Sequence, residues 1–445
     1  MAEVLIIGGG LAGLAAAAAL GQSGRRVMLL EARPFSGGRA TSYPAPGKEG
    51  AEPEVIDNCQ HILLRCCVNL LDFYNRLGVG SDITFHREFY FIEPGGRTSV
   101  MKAGPLPKPL HFAASFSSLR FLGPADKLAI ARALLAVRRD RRRDDLDRIT
   151  MLDWLREKRQ TQRAIERFWR QILVSAINEE LDRMAASHGL QVMWLGFLAA
   201  HDSYEMGVPN VPLGELYSAT AWQAIPNAEL RFRTPVSHIL LEAGRVTGVE
   251  TESGVLTADH YISAVPFERL AVIAPEACAA AGLQLDKFEH SPITGIHLWF
   301  DRKVTELPHG TLLDRTLQWF FNKGQGRYLQ LVVSASRTLV PMPRNDIVHL
   351  ALKELAEFLP AARTATLMKS HVVKEIRATF SARPGLEPQR PPARTAIPNL
   401  SLAGDWTRSG WPSTMEGAVR SGYLAAEDAA ERLGNPERFL LPDIA

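Results

Sequence analysis

The sequence predicts an α/β protein: a Rossmann-like dinucleotide-binding domain built from separated stretches of chain, with a mixed α+β domain inserted between them. Three observations predict it. The chain opens on a strand, a glycine turn and a helix, "VLIIGGGLAGLAAAAAL", Val4 to Leu20. A second strand, "RRVMLLE", follows and closes on an acid, Glu31. Near the C-terminus a strand and glycine turn return in "NLSLAGDW", ahead of the helix "TMEGAVRSGYLAAEDAAERLG".

The opening run has seventeen residues without a charge. A spanning helix wants about twenty. A signal peptide begins with a basic segment, and only Met1, Ala2 and Glu3 precede this run. The order of residue types decides. Val4 to Ile7 is a buried strand, Gly8 to Gly10 break it, and an alanine-rich helix carries Gly13. The glycines fall as G-x-G-x-x-G at Gly8, Gly10 and Gly13. In a βαβ unit the first permits the tight turn, the second lets backbone N–H groups approach a pyrophosphate, and the third lets helix and strand pack closely. The phosphates then lie on the positive end of the helix dipole. Glu31, 18 residues beyond Gly13, is placed to accept hydrogen bonds from a ribose hydroxyl.

After Glu31 comes "ARPFSGGRATS", a glycine loop with Arg39, and "EVIDNCQHILL", a strand end entering a loop. "VNLLDFYNRLG" reads as a helix with Gly78 at its C-terminus. "FHREFYFIEPGGRTSVM" alternates as a hairpin turning at "PGG". Ala125 to Glu205 is mostly helical, and Ala228 to Pro266 reads as a β-meander ending in a buried strand. Residues 285 to 385 mix strands with a helix at about Asp346 to Phe358. The expected boundaries are 1–80, 228–284 and 390–437 for the dinucleotide domain, with 81–227 and 285–389 for the substrate domain.

At 445 residues the chain holds two or three domain-sized units, and 46% hydrophobic residues suit a large core. A net charge of +3 does not point to nucleic acid. Four cysteines (Cys59, Cys66, Cys67, Cys278) form no C-x-x-C pair, which fits a reducing compartment and no zinc site. The twelve histidines form no H-E-x-x-H, and no metal is expected. No export signal and no later spanning run is found, so the expected place is the cytosol or the cytosolic face of a membrane.

Three of these motifs together resemble the flavin-containing amine oxidase and phytoene desaturase superfamily: "GGGLAGLAAAAAL" with Glu31, "GGRATS", and "LAGDWTRSGWPSTMEGAVRSG". The resemblance implies an amine oxidase (GR2-type) FAD-binding fold. It implies FAD contacts from Gly8, Gly10, Leu11, Ala12, Gly13, Glu31, Ala32, Arg33, Gly38, Arg39 and Ala40. It adds Val236 at the adenine, Gly404 and Asp405 near the pyrophosphate and ribityl chain, and Met415, Glu416 and Ala418 at the flavin. A helix N-terminus at the flavin N1 edge suits a reduced, negatively charged ring. "DNCQH" (Asp57 to His61), "VPNVPLGELY" and "FWRQILVSAINEELDRMAAS" further resemble hydroxysqualene dehydroxylases, also labelled squalene-associated FAD-dependent desaturases. Cys59 stands where that family usually has glycine, and a positive φ there would strain a cysteine.

That narrower resemblance implies replacing an allylic hydroxyl of hydroxysqualene by hydrogen, in hopanoid or triterpene biosynthesis. Hydride comes from reduced FAD, an acid protonates the departing hydroxide, and a long apolar pocket holds the isoprenoid. His61 is the first candidate for the acid, or for the group that positions the hydroxyl; Gln60 is a hydrogen-bond partner, and Asp57 orients His61 or holds the loop. Glu179, Glu180 and Glu215 are alternative acids, against a plain reading as solvated or capping carboxylates. Trp406 and Trp411 either wall the substrate site or pack in the core. Pro105 to Asp145 intersperses Leu and Phe with Lys108, Arg120, Lys127 and Arg132, the pattern of a membrane-docking segment. The expected partners are an isoprenoid lipid, a membrane surface and an external electron donor, without nucleic acid. The competing readings are a polyprenoid desaturase, an amine oxidase with a lysine near flavin N5, and a lipid-binding protein like the Rab GDP-dissociation inhibitors.

Overall fold

The computed structural model describes residues 2–45 and 54–444. Its nucleotide-binding part is a five-stranded, all-parallel sheet in the order Ala228–Arg231, Val27–Leu30, Ala2–Ile7, Ala258–Ser263, Leu400–Leu402. The sheet therefore draws strands from the start, middle and end of the chain. The central strand is almost wholly buried from Val4 to Ile7, which is why it reads as an unbroken apolar run.

The first helix, Leu11–Gln22, is buried on every side. It lies under the last helix, Met415–Arg432, and against the sheet. This explains an alanine-rich run with no polar face: side chains larger than alanine would hold these layers apart. The two helices approach closely where Gly422 meets Ala12 and Ala16. No helix among the described residues is long and apolar enough to cross a membrane.

The expected meander is narrower than its sequence pattern. Only Val236–Glu242, Arg245–Thr251 and Gly254–Leu256 form an antiparallel sheet. Ala228–Arg231 instead joins the parallel sheet beside Val27–Leu30. The expected hairpin is also divided: Phe89–Ile92 and Thr98–Met101 pair with each other, whereas Ile83–His86 pairs with Met206–Pro209.

The second large sheet has seven strands, in the order Leu367–Phe380, His290–Phe300, Tyr328–Ser334, Trp319–Gly324, His309–Leu312, Phe89–Ile92, Thr98–Met101. Helix Arg344–Phe358 covers one face. A helical group including Pro124–Asp140, Met151–Glu157, Arg170–Ile177 and Ala186–Met193 builds the remaining wall. The carboxyl ends of four parallel strands and the long strand Leu367–Phe380 enclose one cleft, the usual ligand position for an open parallel sheet.

Candidate active site

The cleft holds about 550 Å³. Its lining falls into three groups: Glu31, Ala32, Arg33, Pro235 and Val236; in the middle group Gly8, Gly10, Leu11, Ala12, Gly38, Arg39, Ala40, Gly404 and Asp405; and Gln60, His61, Met415 and Ala418, the group that the family resemblance assigns to the flavin end. The local sequence explains the middle. Gly8 has φ +107° and Gly404 φ +133°, values L side chains rarely adopt. A Cβ on Gly13 would lie 2.0 Å from the Gly8 carbonyl oxygen, so Gly13 backs the cleft and does not line it. No side chain caps the N-terminus of Leu11–Gln22, and its first turn carries no acid. Its leading N–H groups have no partner within the helix, which is the chemistry a pyrophosphate needs.

Glu31 is held by two backbone bonds: its Oε2 accepts from Gly9 N at 2.7 Å and its Oε1 from Arg33 N at 2.8 Å. A carboxylate has further lone pairs for a ribose. Arg39 pairs with Asp405 and also donates to the Ala378 carbonyl at 3.1 Å. Burial works to raise the Asp405 carboxyl, but Arg39, the Ser413 hydroxyl and Arg390 outweigh it and hold it below the usual range. The pair thus keeps one guanidinium fixed over the centre of the cleft. At the far end Thr414 accepts from Gly417 N, so the Met415 and Glu416 N–H groups remain unpaired within the helix. Glycine cradle, free helix end, anchored acid and fixed arginine fit FAD along the whole cleft.

The Glu416 backbone stands at the helix N-terminus, and its side chain has a separate task. Its carboxylate is fully buried and turned to helix Val68–Arg76, accepting from Asn69 N (3.2 Å), Asn69 Nδ2 (2.9 Å) and Leu70 N (2.7 Å). It caps that helix, whose N-cap residue Cys67 supplies no side-chain bond. Its side chain therefore does not line the FAD cleft.

Of the two roles open to Asp57, orienting His61 or holding the loop, the hydrogen bonds match the second. Its Oδ1 accepts from Leu213 N at 2.9 Å and Ser42 Oγ at 2.7 Å, and Lys323 Nζ lies 3.5 Å from Oδ2. It ties loops together and makes no hydrogen bond to His61. Cys59 has no positive φ; burial pushes its thiol up to about 12. The feared strain is absent.

His61 faces the cleft, and its Nδ1 lies 2.9 Å from the Cys59 carbonyl. A carbonyl only accepts, so Nδ1 carries the proton and Nε2 the lone pair in the neutral ring. Burial lowers its pKa and prevails over the Cys59 carbonyl and the Asp57 and Glu375 charges, which raise it. At rest the ring is neutral, so it positions a donor more readily than it protonates. Gln60 Nε2 donates to the His61 carbonyl at 3.2 Å, leaving a buried Oε1 without a partner.

The three alternative acids are committed elsewhere. Glu179 is buried in a two-pronged ion pair with Arg337, 2.7 Å at each oxygen, and also accepts from Ser381. Glu180 pairs with Arg170, and Glu215 is exposed. Trp406 lines the cleft while donating to the Val265 carbonyl at 3.1 Å.

Trp411 lines a second, apolar chamber of about 160 Å³, with Leu64, Leu70, Phe89, Phe91, Met101, Ile172, Val192, Leu195, Phe197 and Trp319. Ile62, Ser175, Ala176, Thr414 and Met415 border both spaces, so the chamber adjoins the flavin end of the cleft. Sequence reasoning missed this chamber's polar residues Gln171 and Ser175, and also Glu375, which borders the cleft from strand Leu367–Phe380. Gln171 and Ser175 fall inside a segment noted only for resemblance, and Glu375 carries no local signal.

Fold and cleft define an FAD-dependent oxidoreductase. The chain belongs to the flavin containing amine oxidoreductase family, whose model matches residues 11–430. It is 27% identical over 480 residues to a probable zeta-carotene desaturase of Synechococcus elongatus, covering 96% of this chain and 98% of that one. It is 25% identical over 467 residues to a 15-cis-phytoene desaturase of the same organism, covering 98% and 97%. An oxidoreductase structure from Methanosarcina mazei shares the fold at TM-score 0.72 and 18% identity, covering 94% of this chain and 98% of that one. Cyclohexylamine oxidase from Brevibacterium oxydans does so at TM-score 0.66 and 20% identity, covering 97% and 99%.

Proposed function

We propose that this enzyme removes the allylic hydroxyl of hydroxysqualene reductively to give squalene. The observation that carries the reading is an apolar chamber beside the flavin end of the cleft, with Gln60 and His61 in that cleft end. When bound, FAD supplies a hydride from its reduced form and takes one in its oxidised form. The chamber excludes water from a prenyl segment; its volume suits a stretch of chain rather than a whole C30 molecule. Gln60 Oε1 accepts from the substrate hydroxyl, which a pure hydrocarbon cannot offer; leaving such an acceptor unmet costs about 1–3 kcal/mol. The C–O bond breaks, a C–H bond forms, and one proton leaves with the oxygen as water. Protonated His61 is the donor, and its lowered pKa makes that form scarce near neutrality.

Photoreduced enzyme mixed anaerobically with hydroxysqualene should therefore reoxidise its flavin and release squalene at one equivalent per flavin. The rate should climb as pH falls below 6.5, the ordinary histidine value, and His61→Ala should abolish the climb. A pH-independent wild-type rate would remove His61 as the acid. Unreacted reduced flavin would remove the reaction itself.

A second reading, hydride removal from a polyprenoid hydrocarbon, is favoured by the named activities of the desaturase relatives and by neutral His61, whose Nε2 can accept a proton. Bleaching of oxidised flavin by a polyene precursor would select it. An amine oxidase reading is weaker: no lysine lines either space among the described residues. The family relationship and the FAD fit also disfavour a flavin-free lipid carrier.

Membrane docking at the cytosolic face belongs to the same proposal. Leu128 and Leu135 lie two turns apart on one face of Pro124–Asp140, 52% and 70% exposed, with Arg132 exposed between them; Leu106 and Leu110 are exposed nearby in sequence. Sedimentation with anionic-lipid vesicles should fall at least about tenfold in Leu128→Ser/Leu135→Ser. Unchanged sedimentation would exclude this face.

A further inference from the structure

Gln171 lines the apolar chamber at the start of helix Arg170–Ile177, one turn before Ser175, which borders the cleft. It is 6% exposed. Its Nε2 donates to the Glu166 carbonyl at 3.2 Å, which settles the orientation of the amide. Its Oε1 is buried and has no hydrogen-bond partner.

The neighbouring polar groups are already engaged. Ser175 Oγ donates to the Gln171 backbone carbonyl at 2.8 Å and accepts from Trp319 Nε1 at 2.7 Å. Gln191 Nε2 donates to the Gly410 carbonyl at 2.8 Å. The Glu416 carboxylate is taken by Asn69 and Leu70. Among the described residues lining the chamber, the Gln171 oxygen is the buried side-chain acceptor left unmet. An amide oxygen in an apolar wall is unfavourable until a donor reaches it.

We propose that Gln171 is a hydroxyl-binding station, through which the chamber selects isoprenoid alcohols over isoprenoid hydrocarbons. The station rests on the reading of the chamber as the isoprenoid site. It lies about 6 Å along the helix from Ser175, at 1.5 Å per residue. Hydroxysqualene has a single hydroxyl, so the two amides are alternative partners for it, Gln60 where it reacts and Gln171 at a second position inside the chamber. A desaturase acting on a pure hydrocarbon would have no use for either oxygen.

The test needs no turnover. Trp319 and Trp411 line the chamber, so tryptophan emission of the oxidised holoenzyme reports its occupancy. Farnesol is titrated against farnesane, its hydrocarbon counterpart without a donor. The wild type should bind farnesol at least about tenfold more tightly. Gln171→Leu and Gln171→Met should lose that preference and keep their farnesane affinity, with FAD content and melting temperature as controls for folding. Gln60→Met should retain the part of the preference due to Gln171. If wild type binds both probes equally, or if both Gln171 variants keep the preference, the station is overturned. If neither probe binds the wild type, the chamber is not the isoprenoid site, and the proposed function falls with it. Should the Gln171 variants not fold, Gln60→Met decides: a farnesol preference kept there belongs to Gln171, and its complete loss overturns the station.

Discussion

Gly422→Val is expected to yield protein without bound flavin and with a strongly lowered melting temperature. A Cβ at this position would sit 2.1 Å from the Ala12 carbonyl oxygen and 3.1 Å from Ala16 N. Both are backbone atoms of a helix buried on every side, so no side chain can swing away. The first and last helices must separate, and both present their N-termini to the FAD cleft. Overpacking of a well-packed core costs about 1–3 kcal/mol, and an immovable backbone puts this case at or above the upper end. Flavin absorbance per protein and calorimetric melting measure the two consequences separately. Stoichiometric FAD at an unchanged melting temperature would show that the helices do not depend on this contact.

The second large effect is expected of Glu416→Ala. Removing the carboxylate leaves the N–H groups of Asn69 and Leu70 and the Asn69 amide unmet in a buried place, and takes away the counter-charge 3.8 Å from Arg420. Breaking a buried charged network on one side costs about 3–5 kcal/mol. Helix Val68–Arg76 should lose hydrogen-exchange protection first, because its N-terminus loses its cap. The pH dependence has a defined sign. Burial pushes the Glu416 carboxyl up to about 6, against its ordinary 4.5, despite the Asn69 and Leu70 bonds and Arg420 that lower it. The folded state thus holds the proton more tightly than the unfolded state, and this group's contribution falls as pH rises from 4.5 to 6. The stability gap between wild type and Glu416→Ala should be wider at pH 4.5 than at pH 7. An equal gap at both values would contradict the raised carboxyl, and a variant as stable as wild type would contradict the cap.

Much of the cleft was legible because its parts are local. The glycine turn, the following helix and the acid closing the next strand need only neighbours in sequence to take their shapes. "GDW" and "STMEGA" work the same way. The backbone of Glu416 belongs to that motif, but its side chain answers Asn69, 347 residues earlier, which no local pattern shows. The partner of Asp57 is distant in the same way: the sequence left open whether it orients His61 or holds the loop, and Leu213 N, 156 residues on, takes its Oδ1. His61 was recognisable as a polar residue beside the flavin. Its neutral state was not, because burial sets it and burial belongs to the assembled domains.

By itself the sequence determined the class of cofactor, the parallel-sheet framework and the small-residue first helix. Each follows from backbone sterics and residue order within a few turns of chain. Only the tertiary structure decided what adjoins the flavin end of the cleft. Leu64, Phe91, Val192, Phe197 and Trp411 come from different elements, and only packing turns them into one apolar chamber. The same packing decided which polar atoms find partners: it satisfied Glu179, Asp57 and Glu416 and left Gln60 and Gln171 each with an unmet oxygen. Hydrogen-bond satisfaction is a property of neighbours in space, so it enters only when the chain has closed.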